Sequence, residues 1–395
     1  MNWLSQIFAV TGVTLRSIPQ RLGSSIVAII GIGGVVIVFT AVLSIADGFQ
    51  AAMKGTGDPQ TVIVLHQGSD TEMTSGFSGE EARLISEAPA IEKGPEGPHA
   101  SPELFVIVGH PLKRSGTDAN VPLRGLTPIA LKVRPQLKIV EGRMFTPGTN
   151  EIVVGRAASR QFSGLSIGTS VRWGESSWQV VGIFDAGGSV AESEIWCDAK
   201  VLQPAYRRGN SYQSVIARLE SVDSFQTFKD ALTTNPRLQV TVIREPDYYA
   251  QQSQVLQSII RNIGFGIAGL MGLGAIFGAI NTMYSAVANR AREIATLRAL
   301  GFGSSPVVVS VMVEAVILSL VGGLIGGLLA WAAFDGYQTA TMNFQSFSQV
   351  AFAFKVSPSL LARGMFFALI MGLIGGLFPA IRAARLPVVT ALRQL

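Results

Sequence analysis

NRAREIATLRALGFG, residues Asn289 to Gly303, is a short arginine-studded segment caught between two long apolar runs. The run before it, Asn262 to Asn289, has no charged residue, and the run after it, Pro306 to Phe334, has one, Glu314. Either run is long enough to cross ~30 Å of hydrocarbon at 1.5 Å per residue. The segment therefore reads as a turn between two membrane spans, and the rest of the chain is placed relative to it.

Two more stretches have the same character. Leu22 to Ala46 runs 25 residues without a charge, too long for the ~7 to 15 apolar residues of a signal peptide. Residues 361–381 give a fourth span, joined to the third (305–334) by a short loop, 335–360. Met1 to Arg21 contain no acid, and Trp3, Leu4, Ile7, Phe8, Thr11, Leu15 and Ile18 recur at helical spacing. That pattern predicts an interfacial amphipathic helix before Pro19 redirects the chain.

Between the first two spans, residues 47–254 are polar and rich in turn residues. Ser78 with Glu81 makes a capping box for a helix through Glu87, and a second helix is expected over Val222 to Thr233. Alternating or β-branched runs at Thr61–Leu65, Leu104–Val108, Trp178–Ile183, Ser214–Leu219 and Leu238–Ile243 read as strands. Ile91 to Val121 is dense in Pro and Gly, which predicts a long loop or a subdomain crossing. After Tyr249 a helical pattern begins in polar residues and continues into the second span, so residues 255–288 read as a stalk and membrane helix together. The expected fold is an α-helical membrane protein with four transmembrane helices and a large α+β extracytoplasmic domain inserted between helices 1 and 2.

Orientation follows from the arginines. The side holding both termini and the turn 289–304 collects Arg16, Arg21, Arg290, Arg292, Arg298, Arg382, Arg385 and Arg393 against Glu293, whereas the opposite loop region holds Asp335, Lys355 and Arg363. By the positive-inside rule the arginine side, with the tail 382–395, is cytosolic and the large domain is periplasmic or extracellular. The chain is expected to cross a cytoplasmic membrane several times.

Composition narrows the function. Only 14% of the 395 residues are charged and 48% are hydrophobic, against about 25% charged in soluble domains. The net charge of +5 is not gathered into basic runs interleaved with aromatics, which argues against nucleic acid. One cysteine, Cys197, excludes an intramolecular disulfide framework, and the scattered His66, His99 and His110 make no zinc pattern. Gly264, Gly266 and Gly269 spell G-x-G-x-x-G inside an apolar helix, with no preceding strand to make a dinucleotide site. Small residues for helix packing explain them better, as they explain Gly274 with Gly278, Gly322 with Gly326, Gly323 with Gly327 and Gly372 with Gly376. No phosphate-cradling G-x-x-x-x-G-K-[ST] occurs, and no Gly-Lys dipeptide exists to build one. No Ser, His and Asp set has a hydrolase context. The chain is read as non-catalytic and binding no cofactor, so ATP-driven work would fall to a separate subunit.

Glu314 lies in the third span, where an ionised carboxylate is costly. It reads as an acid near the cytosolic interface that reaches an arginine or headgroup water, rather than as a proton site, because a relay needs a second intramembrane charge. In the turn, Arg290 and Glu293 pair at i, i+3, Ile294, Leu297 and Leu300 supply apolar contacts, and Gly301 can close the helix in left-handed geometry. A capped cytosolic helix rigidly continuous with a membrane span would suit a soluble partner.

The order of elements, one span, a large domain and three spans, resembles the MacB-like and FtsX-like permeases of ABC transporters. RLGSSIVAIIGIGGVVIV at Arg21–Val38 is similar to the family's first span. EIVVGRAASRQFSGLSIGTSV at Glu151–Val171 and WQVVGIF at Trp178–Phe184 resemble its external core. NRAREIATLRALGF at Asn289–Phe302 resembles its coupling segment, VEAVILSLVGGLIGGLLAW at Val313–Trp331 its third span, and FPAIRAARL with ALR its end. The resemblance implies that Arg290, Arg292, Glu293, Ile294, Leu297, Arg298 and Gly301 contact a separate ATPase subunit, which uses ATP and magnesium, and that Glu314 is the family's usual acid there. It implies mechanotransmission of the type VII kind by a dimer with a second permease copy or paralogue, for export through a periplasmic adaptor and outer-membrane duct, lipoprotein transport, or activation of a cell-wall hydrolase. Two departures stand out: MacB itself carries a fused ATPase that this sequence does not show, and Leu386 is followed directly by Pro387, where the family places Pro two residues after Leu. The alternative is a membrane-anchored interaction or signalling protein with no ATPase partner.

Overall fold

The computed structural model describes residues 3–16 and 22–388. Ile18, Pro19, Arg21 and Arg393, used above for the amphipathic segment and the charge balance, lie outside them. The helices are α1 (Trp3–Arg16), α2 (Leu22–Lys54), α3 (Gly79–Ser86), α4 (Ala130–Val133), α5 (Arg156–Gln161), α6 (Ala199–Ala205), α7 (Phe225–Thr233), α8 (Glu245–Asn289), α9 (Ala291–Ala299), α10 (Ser304–Phe334) and α11 (Pro358–Ala384). The strands are β1 (Thr61–His66), β2 (Phe77–Ser78), β3 (Lys93–Gly94), β4 (Gly97–Pro98), β5 (Ala100–Pro111), β6 (Asp118–Leu126), β7 (Lys138–Gly142), β8 (Glu151–Gly155), β9 (Ser170–Trp173), β10 (Ser176–Asp185), β11 (Ile195–Asp198), β12 (Ser211–Tyr212), β13 (Ser214–Arg218), β14 (Val240–Arg244), β15 (Gln338–Asn343) and β16 (Ser348–Ala353).

The chain forms two units, one of Met1–Asp47, Ser258–Tyr337 and Phe354–Leu395, the other of Gly48–Gln257 with Gln338–Ala353. The first unit is helical. Parts of α2, α8, α10 and α11 are long and apolar enough to cross a membrane, over 25–54, 245–289, 304–334 and 358–384. At 45 residues, α8 is about 68 Å long at helical rise, roughly twice the hydrocarbon thickness. Several glycines sit at close helix contacts: a Cβ on Gly322 would stand 2.8 Å from Ile29 O, and one on Gly376 2.6 Å from Ala315 Cβ. Gly326 likewise meets Gly33, and Gly372 meets Ser319. Gly274 and Gly278 have no atom of the described residues within 4 Å of an added Cβ, so each faces open space there.

The second unit is α+β. Its main sheet runs β14-β1-β13-β5-β6-β11-β8-β10-β7, with β9 on the far side of β10. Most pairs are antiparallel, while β11 runs parallel to β6 and β10 to β8. The Pro/Gly-dense stretch 91–121 is mostly strand rather than loop, and β5 is the crossing: Ala100–Glu103 pair with β13, and Leu104–Pro111 pair with β6. Leu104, Val106, Val108, Ile152, Trp178 and Cys197 are among the residues that fill one core. Phe77, Ile85, Val62, Val215 and Phe228 belong to a second, under α3 and α7. The capping box at Ser78 and Glu81 is present, because the serine oxygen and glutamate carboxylate satisfy orphan N–H groups at the helix start.

Three boundaries move. α2 continues past Ala46 to Lys54 and α8 starts at Glu245, ahead of the predicted stalk. The short loop 335–360 contains a hairpin, β15 on β16, from Gln338↔Ala353 to Asn343↔Ser348. In β16 the buried positions alternate, Ser348, Val350 and Phe352, whereas β15 shows no such alternation.

Candidate functional site

The turn between α8 and α10 is built around Arg290. α8 stops at Asn289, Arg290 leaves helical geometry (φ −110°, ψ 10°), and α9 starts at Ala291, so α9 is a separate helix rather than a rigid continuation of the span. The Arg290 side chain points inward. Its Nε donates to Glu293 Oε2 at 3.0 Å, its Nη2 donates to Thr14 Oγ1 of α1 at 3.1 Å, and its Nη1 stands 3.6 Å from Glu314 Oε2. Thr14 in turn shares a 2.5 Å hydrogen bond with Ser310 of α10. One guanidinium thus ties α1, α9 and α10 together, and Glu314 finds the arginine partner expected for a carboxylate in low dielectric.

α9 is closed by a Schellman motif. Gly301 has φ +92°, its N–H donates to Arg298 O at 3.1 Å, and the Phe302 N–H donates to Leu297 O at 3.1 Å, a pairing that needs a left-handed residue. Arg298 Nη1 donates to Leu386 O at 2.7 Å, and the Gly303 N–H donates to Gln6 Oε1 at 3.3 Å, so the turn is also held by the tail and by α1. Of the seven residues predicted as the coupling surface, Arg290 and Ile294 are buried, Leu297 and Arg298 half-buried, and Arg292, Glu293 and Gly301 exposed. Leu300, named in the sequence only as an apolar contact, is 73% exposed.

A second constellation was invisible in the sequence. Glu72, Glu103, Arg124, Arg134, Glu194 and Glu245 meet inside the α+β unit, all buried. Arg124 uses all of its N–H groups: Nε donates to Glu194 Oε2 (2.8 Å), Nη1 to Glu72 Oε1 (2.6 Å) and Glu103 Oε2 (3.0 Å), and Nη2 to Glu72 Oε2 (2.9 Å) and Glu194 Oε1 (2.8 Å). Arg134 forks onto Glu103 at 2.6 and 2.9 Å, while its Nε is 3.7 Å from Glu245 Oε1. Burial lowers the basicity of both guanidiniums, but the surrounding glutamates outweigh it and raise them. These residues are scattered over the sequence with no repeat or spacing, so no local signal announces them.

A cavity of about 520 Å³ opens between α5 and the β15–β16 hairpin, lined by Arg160, Gln161, Gln338, Ala340 and Ala351 among others. Among the described residues, no group of three or more His, Cys, Asp or Glu is placed to hold a metal ion. Cys197 is buried, and burial, with the Asp198 charge beside it, pushes its thiol well above its ordinary range, which suits a packing role rather than a reactive one.

Residues 25–235 match the profile of the MacB-like periplasmic core domain, and residues 265–388 that of the FtsX-like permease C-terminal region. An uncharacterized ABC transporter permease of Bacillus subtilis, YknZ, is 25% identical over 96% of this chain and 95% of its own length. The macrolide export ATP-binding/permease protein MacB of Nitrosomonas europaea is 23% identical over 92% of this chain but only 55% of its own length. Among solved structures, the extracellular domain of YknZ from Gram-positive bacteria aligns with 46% of this chain and 99% of its own, at 18% identity and a TM-score of 0.36. The periplasmic region of MacB from Actinobacillus actinomycetemcomitans aligns with 51% and 96%, at 13% identity and a TM-score of 0.38.

Proposed function

Because the chain belongs to the MacB-like and FtsX-like family of ABC transporter permeases, we propose that it is the membrane subunit that passes motion from a separate ATPase to its own α+β domain. The observation that carries this is the turn Asn289–Gly303. It is braced from inside by Arg290 and Arg298, and it leaves Arg292, Glu293 and Leu300 exposed on a short capped helix. A braced helix with an exposed charged and apolar edge is suited to receiving a push, since its own contacts resist deformation. The 45-residue α8 leads from this turn to the α+β domain as one continuous helix.

In this reading the turn and both termini are cytosolic, the α+β domain is outside, and two permease copies or paralogues act with two ATPases. The task is export or lipoprotein transport, with the adaptor and outer-membrane duct as further partners where export is the task. The test is co-purification of the tagged full chain from membranes. An ATP-hydrolysing subunit should come with it, and Leu300→Asp with Arg292→Glu should release that subunit while the chain still folds. If no ATPase accompanies the wild type, the protein is a membrane-anchored binding module instead. External protease on spheroplasts should trim the α+β domain; a protected domain would sink the orientation.

A further inference from the structure

The buried ion cluster sits where the main sheet changes partners. Glu103 of β5 is the last residue paired with β13, opposite Ser214, and the next residue, Leu104, pairs with Gly125 of β6. One half of the sheet therefore holds the second core and the other half the first. Glu72 is tied to the β13 side, because Ser214 Oγ donates to its Oε1 at 2.7 Å. Arg124 lies on β6, and Glu194 directly precedes β11. The five donors of Arg124 thus cross the seam in fixed directions, which packed apolar side chains would not do.

The helix α8 enters the same cluster by its first residue. Thr61 Oγ1 of β1 donates to Glu245 Oε2 at 2.6 Å, and Arg134 approaches the other oxygen at 3.7 Å. One turn on, the Tyr248 hydroxyl accepts from the Glu72 N–H at 3.2 Å, and two turns on, Gln252 Oε1 accepts from Asn343 Nδ2 of β15 at 3.1 Å. The start of α8 is therefore bonded to β1, to the turn at Glu72 and to the hairpin. The cluster carries four carboxylates against two guanidiniums, an excess of negative charge in low dielectric that favours a bound proton.

We propose that this cluster is the joint that makes the two halves of the sheet and the first turn of α8 move as one body, with Glu245 its releasable contact. This rests on the reading of α8 as the transmitting element. Arg124 and Glu245 are positioning residues: Arg124 locks the seam, and Glu245 locks the helix to it. Glu245 is the member to take the proton, because it makes the longest ion pair of the cluster and is faced by Glu103 and Glu194 as well as by Arg134, Arg124 and Tyr249. Burial raises its carboxyl, and Arg134 and Thr61 only partly oppose that. By linkage the proton therefore favours the attached α8, and its loss as the pH rises leaves a buried carboxylate beside Glu103 and Glu194 that loosens α8 while Arg124 keeps the sheet intact.

Spin labels on the full-length chain in nanodiscs test this, placed at the exposed positions Thr227 of α7, Lys200 of α6 and Gln254 of α8. Arg124→Lys, which keeps the charge but has fewer donors, should add a second distance population between Thr227 and Lys200. Glu245→Gln, which stays uncharged, should leave that pair single and keep a single population between Thr227 and Gln254 as well. Raising the pH from 4.5 should add a second Thr227–Gln254 population in the wild type and leave Glu245→Gln unchanged. The joint is overturned if the wild type keeps a single Thr227–Gln254 population as the pH rises, or if Glu245→Gln responds to pH as the wild type does; this holds even should Arg124→Lys fail to fold. The measurement needs no ATPase, so loss of the proposed partner and loss of the joint are separate results.

Discussion

Arg290 and Glu314 stand 3.6 Å apart, one in the turn after α8 and the other inside α10, both nearly sealed from solvent. Glu293, the other acid on Arg290, is 55% exposed in its side chain. The two pairs should therefore differ in weight. Arg290→Met leaves Glu314 buried without its arginine and should cost about 3–5 kcal/mol. Glu293→Gln removes an exposed pair and should cost no more than about 1 kcal/mol. Thermal unfolding of the purified chain reads both, and equal melting of the two variants would refute the hierarchy.

Gly301→Ala places a Cβ at φ +92° and should cost about 1–2 kcal/mol, because the Schellman pairing fixes the left-handed geometry. Gly301→Asn should be milder, since asparagine tolerates that region. Hydrogen exchange at the Phe302 amide is the local readout, and unchanged protection in Gly301→Ala would show that the cap is not under strain.

The glycine pairs separate into two groups. Gly322→Ala drives a Cβ to 2.8 Å from Ile29 O and should destabilise by about 1–3 kcal/mol through overpacking. Gly274→Leu, with open space around it, should leave the melting temperature of the isolated chain unchanged. If a second copy packs there, Gly274→Leu lowers the cross-linked dimer fraction in membranes. A full dimer yield would move the interface elsewhere.

Glu72 and Glu245 should give opposite pH dependences. Burial pushes Glu72 up, but the charge and hydrogen bonds of Arg124, with the Ser214 hydrogen bond, outweigh it and hold the carboxyl below 4.5. Its contribution to stability is complete above pH 4.5 and is lost as the pH falls through the lowered value. At Glu245 burial prevails, so its contribution is complete below pH 4.5 and is lost as the pH rises through the raised value. In a pH series of unfolding curves, Glu72→Gln should flatten the acid side and Glu245→Gln the side above pH 4.5. The reverse assignment would contradict the arrangement of charges around them.

Glu151 provides a check outside the cluster. Hydrogen bonds from Arg143 lower its carboxyl to about 2, against a smaller effect of burial, and Arg143 is exposed. Its contribution, present above pH 4.5, should fade only as the pH falls through about 2. Solvent screening keeps the contribution small. Titration of the Glu151 carboxyl by NMR would read this directly, and an ordinary glutamate value would show that the pair does not form.

The four long apolar helices, the α+β domain and the arginine turn were legible because each rests on a local property: the length of an apolar run, the period of a strand, the spacing of a capping box. Gly301 could be named as a cap from its place after a helical stretch, and Glu314 could be matched to an arginine because an intramembrane acid demands a counter-charge. The sequence alone determined these features, since the energy at stake is set by a residue and its near neighbours. Tertiary structure alone decided that Arg290 and Ile294 turn inward while Leu300 turns out. It likewise decided that Gly322 meets α2 while Gly274 faces open space among the described residues, and that Arg124 gathers Glu72, Glu103 and Glu194 across the seam of the sheet. Those outcomes depend on which distant elements approach, and burial, rather than spacing, decides what an arginine must do there.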